Sequence, residues 1–339
     1  MALNPKLNIY VVSLNPRDKK ASLTFRDFFK AKYLFNKSVN DKELLDKFFE
    51  EFLNKVGKSE FRKDQKSKKV IGVSEYNPEN KRSSINVMHQ RHLIEGLIDG
   101  GQYGVLRAYA DVDKKNEKTN LGTNNAVLDK FYICLCTPLN SAYGFLFVQS
   151  YTEVTIQEPV AEFITDLLRC EDYYYNVRIE PYVPKKFVEK FKNSAKVKLF
   201  SYRSKIGISN IMRENQISPK GMSFNVEIKI CPLEEELLPG SNEAFAVAKE
   251  LAQKQFDGVD LHDYDDQKVY IEQGNGHKAH YDVKKELGTI RPTIYLTDEG
   301  IEIDSATGQP NFAQIKKFAL SLLEEVKEEY NGYEEIEEL

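Results

Sequence analysis

The chain has 339 residues, 41% hydrophobic and 29% charged, with 20 Phe, 19 Tyr and a net charge of −4. That length and aromatic content exclude chain-wide disorder and provide for a sizeable core. There is no run of about 18 apolar residues, so no helix is expected to cross a membrane.

The first 20 residues, MALNPKLNIYVVSLNPRDKK, hold an apolar stretch broken by Asn and Pro. They lack the charged start, apolar run and cleavage site of a leader, so they read as a first strand, residues 7–14, of a cytoplasmic protein. Two amphipathic helices are expected next, at 23–35 and 41–56. In the second, Leu44, Leu45, Phe48, Phe49 and Phe52 recur at helical spacing, and Asn40 or Asp41 is placed to cap it. GKSEFRKDQKSKK, residues 57–69, reads as a polar, mostly basic mobile loop.

Residues 70–150 alternate with period two, predicting strands at 70–76, 84–89, 93–98, 103–111, 130–137 and 145–151. DVDKKNEKTNLGTNN, residues 111–125, is a hydrophilic insertion at a hairpin tip. FYICLCTP and YGFLFVQSY are almost continuously apolar, as central strands covered on both faces must be. EPVAEFITDLLRCE follows as a helix with Pro159 in its first turn. A strand in YYYNVRIEPYV, a helix in PKKFVEKFKN and a strand in AKVKLFSYR come next. Further strands are expected at 222–230 and 268–272, with a helix at 242–256 between them. A hairpin and a long C-terminal helix, 311–330, end the chain, with Phe312, Ile315, Ala319, Leu322, Leu323 and Val326 forming its apolar stripe. The succession predicts an α+β fold built on mixed, mainly antiparallel sheets. We expect an N-terminal region, 1–155, and a C-terminal region, 156–339, unless the two form one domain.

The four cysteines, Cys134, Cys136, Cys170 and Cys231, have neither disulfide-framework nor zinc-site spacing and are expected to be buried, reduced thiols. His89-Gln90-Arg91-His92 could share a metal only if helical, and a third ligand of recognisable spacing is missing. Gly100-Gly101-Gln102-Tyr103-Gly104 has the wrong spacing for a dinucleotide loop and instead suits a tight turn or close packing. Neither a phosphate-binding P-loop pattern nor a nucleophile elbow occurs. The acidic stretch GVDLHDYDD, residues 258–266, lacks EF-hand spacing, and a hairpin turn at Gly274-Asn275-Gly276 would send His277 and His280 to opposite faces.

Charge is unevenly distributed. Residues 1–130 hold 25 Lys and Arg against 17 Asp and Glu, whereas residues 230–339 hold 10 against 25. Residues 185–229 hold 11 against 3 and interleave their bases with Phe and Tyr. Cations along one surface neutralise phosphates, and aromatics stack on unpaired bases. Lys185, Lys186, Lys196, Lys198, Tyr202, Arg203, Lys205 and Arg213 are therefore the candidate contacts to DNA, RNA or another polyanion. Alternation puts Lys196, Lys198, Phe200 and Tyr202 on one face of their strand, with Val197, Leu199, Ser201 and Arg203 on the other. The bland alternative is a solvated basic face, with the acidic C-terminal part docking against it.

Glu227-Ile228-Lys229 sits in a strand-like run, FNVEIKICP. Restriction-type nucleases place such a Glu-x-Lys beside a second carboxylate, bind Mg²⁺ between the acids and use the Lys on the attacking water or phosphate. Here the nearest upstream acids of use are Asp166 and Asp172, far back in the chain. A solvated Glu/Lys face is the plain reading of the same triplet.

The strand pair FYICLCTP and YGFLFVQSY, the helix after it, and PYVPKKFVEKFKNSAKVKLFSYR together resemble bacterial proteins carried in phage-defence gene neighbourhoods. The resemblance covers residues 131–203 and brings no catalytic residues with it. It implies a host-protection role, as an accessory or effector acting with a protein partner or as a homo-oligomer. Nucleic-acid binding through 185–229 is the leading expectation. An assembly subunit and a Mg²⁺-dependent nuclease using Glu227 and Lys229 are the alternatives.

Overall fold

The computed structural model describes residues 4–17, 24–33, 39–80, 82–114, 116–170, 176–194, 196–207, 223–231, 238–239, 250–251, 266–272, 278–282 and 291–337. Arg213, Asp172, His277 and the acidic loop 258–265 lie outside them, as does nearly all of the helix expected at 242–256. The fold is α+β with antiparallel pairing throughout the described strands.

In chain order the elements are β1 (Pro5–Ser13), α1 (Phe25–Lys32), α2 (Asp41–Val56), β2 (Arg62–Asp64), β3 (Lys69–Val73), β4 (Tyr76–Asn77), β5 (Arg82–Ser83), β6 (Ile85–Met88), β7 (Leu93–Gln102), β8 (Arg107–Ala110), β9 (Lys118–Leu121), β10 (Val127–Cys136), β11 (Tyr143–Tyr151), α3 (Gln157–Leu167) and β12 (Arg178–Tyr182). Then come α4 (Lys185–Ser194), β13 (Lys196–Gly207), β14 (Ser223–Ile230), β15 (Leu238–Pro239), β16 (Asp266–Glu272), β17 (Lys278–Asp282), β18 (Ile294–Tyr295) and α5 (Phe312–Glu337).

The chain forms two units, residues 1–182 with 294–339, and residues 183–293. This differs from a division at 155/156, and strand pairing explains why. β12 lies along Ile9–Ser13 of β1, and β18 lies along Lys6–Leu7 of the same strand. The chain thus leaves the first sheet at Tyr182 and rejoins it at Ile294, so the second unit is an insertion. Long-range pairing of this kind leaves no local composition signal.

The main sheet of the first unit runs β12-β1-β11-β10-β7-β3-β2, with β6 on β7 and β18 on β1. One face packs beneath α1, α2 and α3, where Phe25, Phe28, Phe29, Phe48, Phe52 and Phe163 meet Ile98, Phe131, Ile133 and Val148. Each such buried side chain contributes about 1.5–3 kcal/mol. The capping of α2 is as its sequence predicts, with Asn40 Oδ1 accepting from Glu43 N at 2.9 Å. On the other face, α5 buries Ile315, Ala319, Leu322, Leu323 and Val326. Asn311 Oδ1 caps that helix by accepting from Ala313 N and Gln314 N, and the helix extends past residue 330 to Glu337. β11 and the Phe131–Cys136 part of β10 therefore have both faces buried, which accounts for their continuous apolar runs. One charge lies within this layer. Glu95 is 2% exposed, and Lys316 Nζ of α5 holds its Oε1 at 2.6 Å.

Several local expectations are corrected. The segment expected to be a mobile loop, 57–69, contains the β2 strand and the turn into β3. Asp64 fastens this turn by accepting from Lys66 N, Ser67 N and the Ser67 hydroxyl. Of the two alternatives for Gly100 and Gly101, a tight turn or close packing, the structure has close packing: both lie within β7, and a Cβ on Gly101 would stand 1.7 Å from the Val127 carbonyl oxygen. Cys134 and Cys136 are buried, and burial pushes the Cys136 thiol up to about 11, but Cys170 is only partly covered and Cys231 is exposed. His89 belongs to a short 3-10 turn and pairs through Nε2 with Asp46 Oδ1 at 2.6 Å. His92 takes a left-handed conformation, φ 50°, with Nδ1 buried and unpartnered and its pKa lowered by burial.

Candidate nucleic-acid interface

The inserted unit carries the basic segment on a sheet ordered β14-β13-β16-β17, with β15 also on β13. β16 has a plain alternation. Gln267, Val269 and Ile271 are buried, while Asp266, Lys268, Tyr270 and Glu272 face outward. Register carries that outward face across the sheet. Arg203 stands between Glu227 and Asp266, Ser201 between Lys229 and Lys268, and Tyr270 opposite His280.

β13 does not alternate along its whole length. Its register against β16 slips between Val197 and Leu199, leaving Lys198 as the extra residue of a bulge. Beyond the bulge the parity is reversed, so Phe200 and Tyr202 turn inward and are buried, whereas Arg203 and Lys205 are exposed. Tyr202, expected beside Lys196 and Lys198 as a stacking group, is 5% exposed and cannot receive a base. Lys185 and Lys186, on α4, are exposed.

The aromatic side chains on the open face are ones the sequence reading passed over. Tyr270 is 37% exposed, and its ring lies 5.5 Å from that of His280, tilted by 30°. The outward alternation of Asp266-Gln267-Lys268-Val269-Tyr270-Ile271-Glu272 was the available signal. That strand lies outside the basic segment 185–229 and mixes two acids with one lysine.

Around this pair the described outward side chains include six cations, Lys196, Lys198, Arg203, Lys205, Lys229 and Lys268. Three carboxylates accompany them, Glu227, Asp266 and Glu272. The acids are tied to particular bases. Glu227 receives Arg203 Nη2 at 3.1 Å, Lys229 Nζ at 3.2 Å and Ser201 Oγ at 3.0 Å. The Lys229 bond, followed by those from Ser201 and Arg203, holds its pKa below the usual carboxylate range. Asp266 Oδ2 lies 2.9 Å from Lys268 Nζ, a bond that raises the lysine pKa, and Lys198 pairs with Glu272. The face retains a cationic surplus, with Lys198, Arg203, Lys229 and Lys268 held in place by these pairs.

The Glu-x-Lys pair is thus assembled, with both residues on one face of β14, but the carboxylate is already engaged by two cations and a hydroxyl. Asp266 is two strands away across Arg203. Asp166, the other acid considered, belongs to α3 of the first unit, where Arg62 Nη1 binds it at 3.0 Å. Among the described residues no three His, Cys, Asp or Glu side chains group as a metal site. No protein-family model and no curated protein matches this chain.

Proposed function

We propose that the inserted unit binds single-stranded nucleic acid on the outward face of β14-β13-β16-β17. The observation that carries this reading is the pairing of Tyr270 and His280 on β16 and β17, on a face that carries Lys196, Arg203, Lys205, Lys229 and Lys268 across β14, β13 and β16. Antiparallel sheets that bind single strands use exposed aromatics on inner strands to stack bases, and cations around them to follow the phosphates. Glu227 serves this face by positioning Arg203 and Lys229, not by holding a metal. The resemblance of residues 131–203 to phage-defence neighbourhood proteins supports a role in bacterial host protection, as an accessory or effector.

Fluorescence anisotropy with a labelled oligonucleotide tests the reading. Affinity should fall steeply between about 50 and 200 mM salt. Tyr270→Ala should weaken binding by about 1–3 kcal/mol, and Lys196→Glu with Lys205→Glu should reduce the salt slope. Binding unchanged in both variants would remove the proposal.

A further inference from the structure

β8 and β9 form a two-stranded arm at the end of the first unit where β7 finishes and β10 begins. Its base is fixed by Gly104 N donating to Thr123 O and Tyr103 N donating to Lys68 O. Of nine exposed large apolar residues among those described, six lie at Val105, Leu106, Tyr109, Val112, Val127 and Leu128. Leu106 is 71% exposed, Tyr109 60% and Val112 96%. All four residues of β8 are exposed, and among the described strands β8 pairs only with β9. Two-stranded ribbons are marginal alone in water, and an open apolar edge is a template for another strand.

We propose that the other strand is β8 of a second copy of this chain, paired antiparallel about a two-fold axis at Tyr109. The sequence Leu106-Arg107-Ala108-Tyr109-Ala110-Asp111-Val112 is self-complementary in that register. Tyr109 faces its own copy, Ala108 faces Ala110, Arg107 faces Asp111, and Leu106 faces Val112. One side of the joined ribbon then carries Ala108 and Ala110, with Leu106 just before β8 and Val112 in the turn just after it extending the apolar side. The other side carries an aromatic pair flanked by two symmetry-related ion pairs, the isologous arrangement a two-fold axis demands. Moving the axis one residue, to Ala108, would set Val105 against Asp111 and Arg107 against Tyr109, so charge pairing selects the Tyr109 register. Asp111 Oδ1 accepts from Asp113 N at 3.0 Å, which leaves Oδ2 for a partner, and Arg107 uses one guanidinium N–H on Gln102 Oε1 at 2.6 Å. A guanidinium has five, which suits it to receive the partner's carboxylate as well.

Sedimentation velocity on the full chain tests the pairing, with circular dichroism confirming the fold of each variant. The wild type should sediment at twice the chain mass. R107D sets two carboxylates face to face, and D111R two guanidinium groups. Each should raise the dimer dissociation constant at least about tenfold. The double variant R107D/D111R exchanges the partners and should restore the dimer. A wild type that stays monomeric up to about 100 µM would overturn the proposal. So would an R107D or D111R protein that remains dimeric, or a charge exchange that restores nothing. Oligonucleotide binding by the inserted unit is independent of each result.

Discussion

The two units handle charge on a β-sheet in opposite ways. In the first, helices cover both faces of the sheet, and the charge it encloses, Glu95, is matched by Lys316 reaching in from α5. In the second, one face stays open, and Glu227 lies in solvent with three donors around it. A buried pair is needed because an unpaired carboxylate inside the protein is costly. Exposed pairs contribute little stability, so their value is in where they hold the cations. The first arrangement builds a core, and the second builds a surface.

The broadest test of this contrast is to remove one partner. Replacing residues 183–293 with a short Gly-rich link between Tyr182 and Ile294 should abolish oligonucleotide binding and leave a cooperative thermal transition for the remaining unit. Loss of that transition would show that the two sheets are not separable. Next in size is Lys316→Met, which strands Glu95. Breaking such a pair costs about 3–5 kcal/mol, and the partial exposure of Lys316 points to the lower end. Urea unfolding should show the loss, with much of it recovered in the E95Q/K316M double variant. Glu227→Gln should behave oppositely. Gln keeps an oxygen that can position Arg203 and Lys229 but removes a negative charge from the face, so oligonucleotide affinity should rise by roughly two- to five-fold, on the scale of an exposed ion pair, with little change in the unfolding midpoint. A metal-dependent nuclease would instead lose cleavage in that variant, so a Mg²⁺-dependent cleavage assay on both proteins separates the two readings.

The smallest expected effects are those of pH and thiol reactivity. The folded pKa of Glu227 lies below its ordinary value. Its pairs therefore stabilise the fold fully above that ordinary value and are lost as pH falls through the lowered one. Acid titration followed by the Tyr270 signal should show the second unit loosening in that range. Thiol labelling of the native protein should modify Cys231 first and Cys170 more slowly, with Cys134 and Cys136 reacting only after unfolding.

Much of the fold was legible where burial imprints itself on local pattern. Continuous apolar runs identified β10 and β11, and helical spacing with an Asn cap identified α2. The candidate site was read less completely, because it depends on phase. A single bulge at Lys198 reverses every side chain after it, and nothing in AKVKLFSYR distinguishes that strand from an unbroken one. Simple alternation therefore puts Tyr202 outside, where the fold buries it, and gives no weight to Tyr270 on the neighbouring strand. The division into units was hidden for a different reason. It depends on β12 and β18 both choosing β1, more than a hundred residues apart in sequence from each other.

That shared choice of neighbour has a thermodynamic consequence. Tyr182 pairs with Ile9 and Ile294 with Leu7, so the ends of the insertion are separated by about two residue steps along one strand, roughly 7 Å. Closing an unstructured loop of this length would cost the first sheet an entropy that grows with the logarithm of its length. An insert that folds with its own ends together meets that cost from its own burial. The β1 edge then needs only to join two points already side by side, and the length of chain between them becomes nearly irrelevant to its stability.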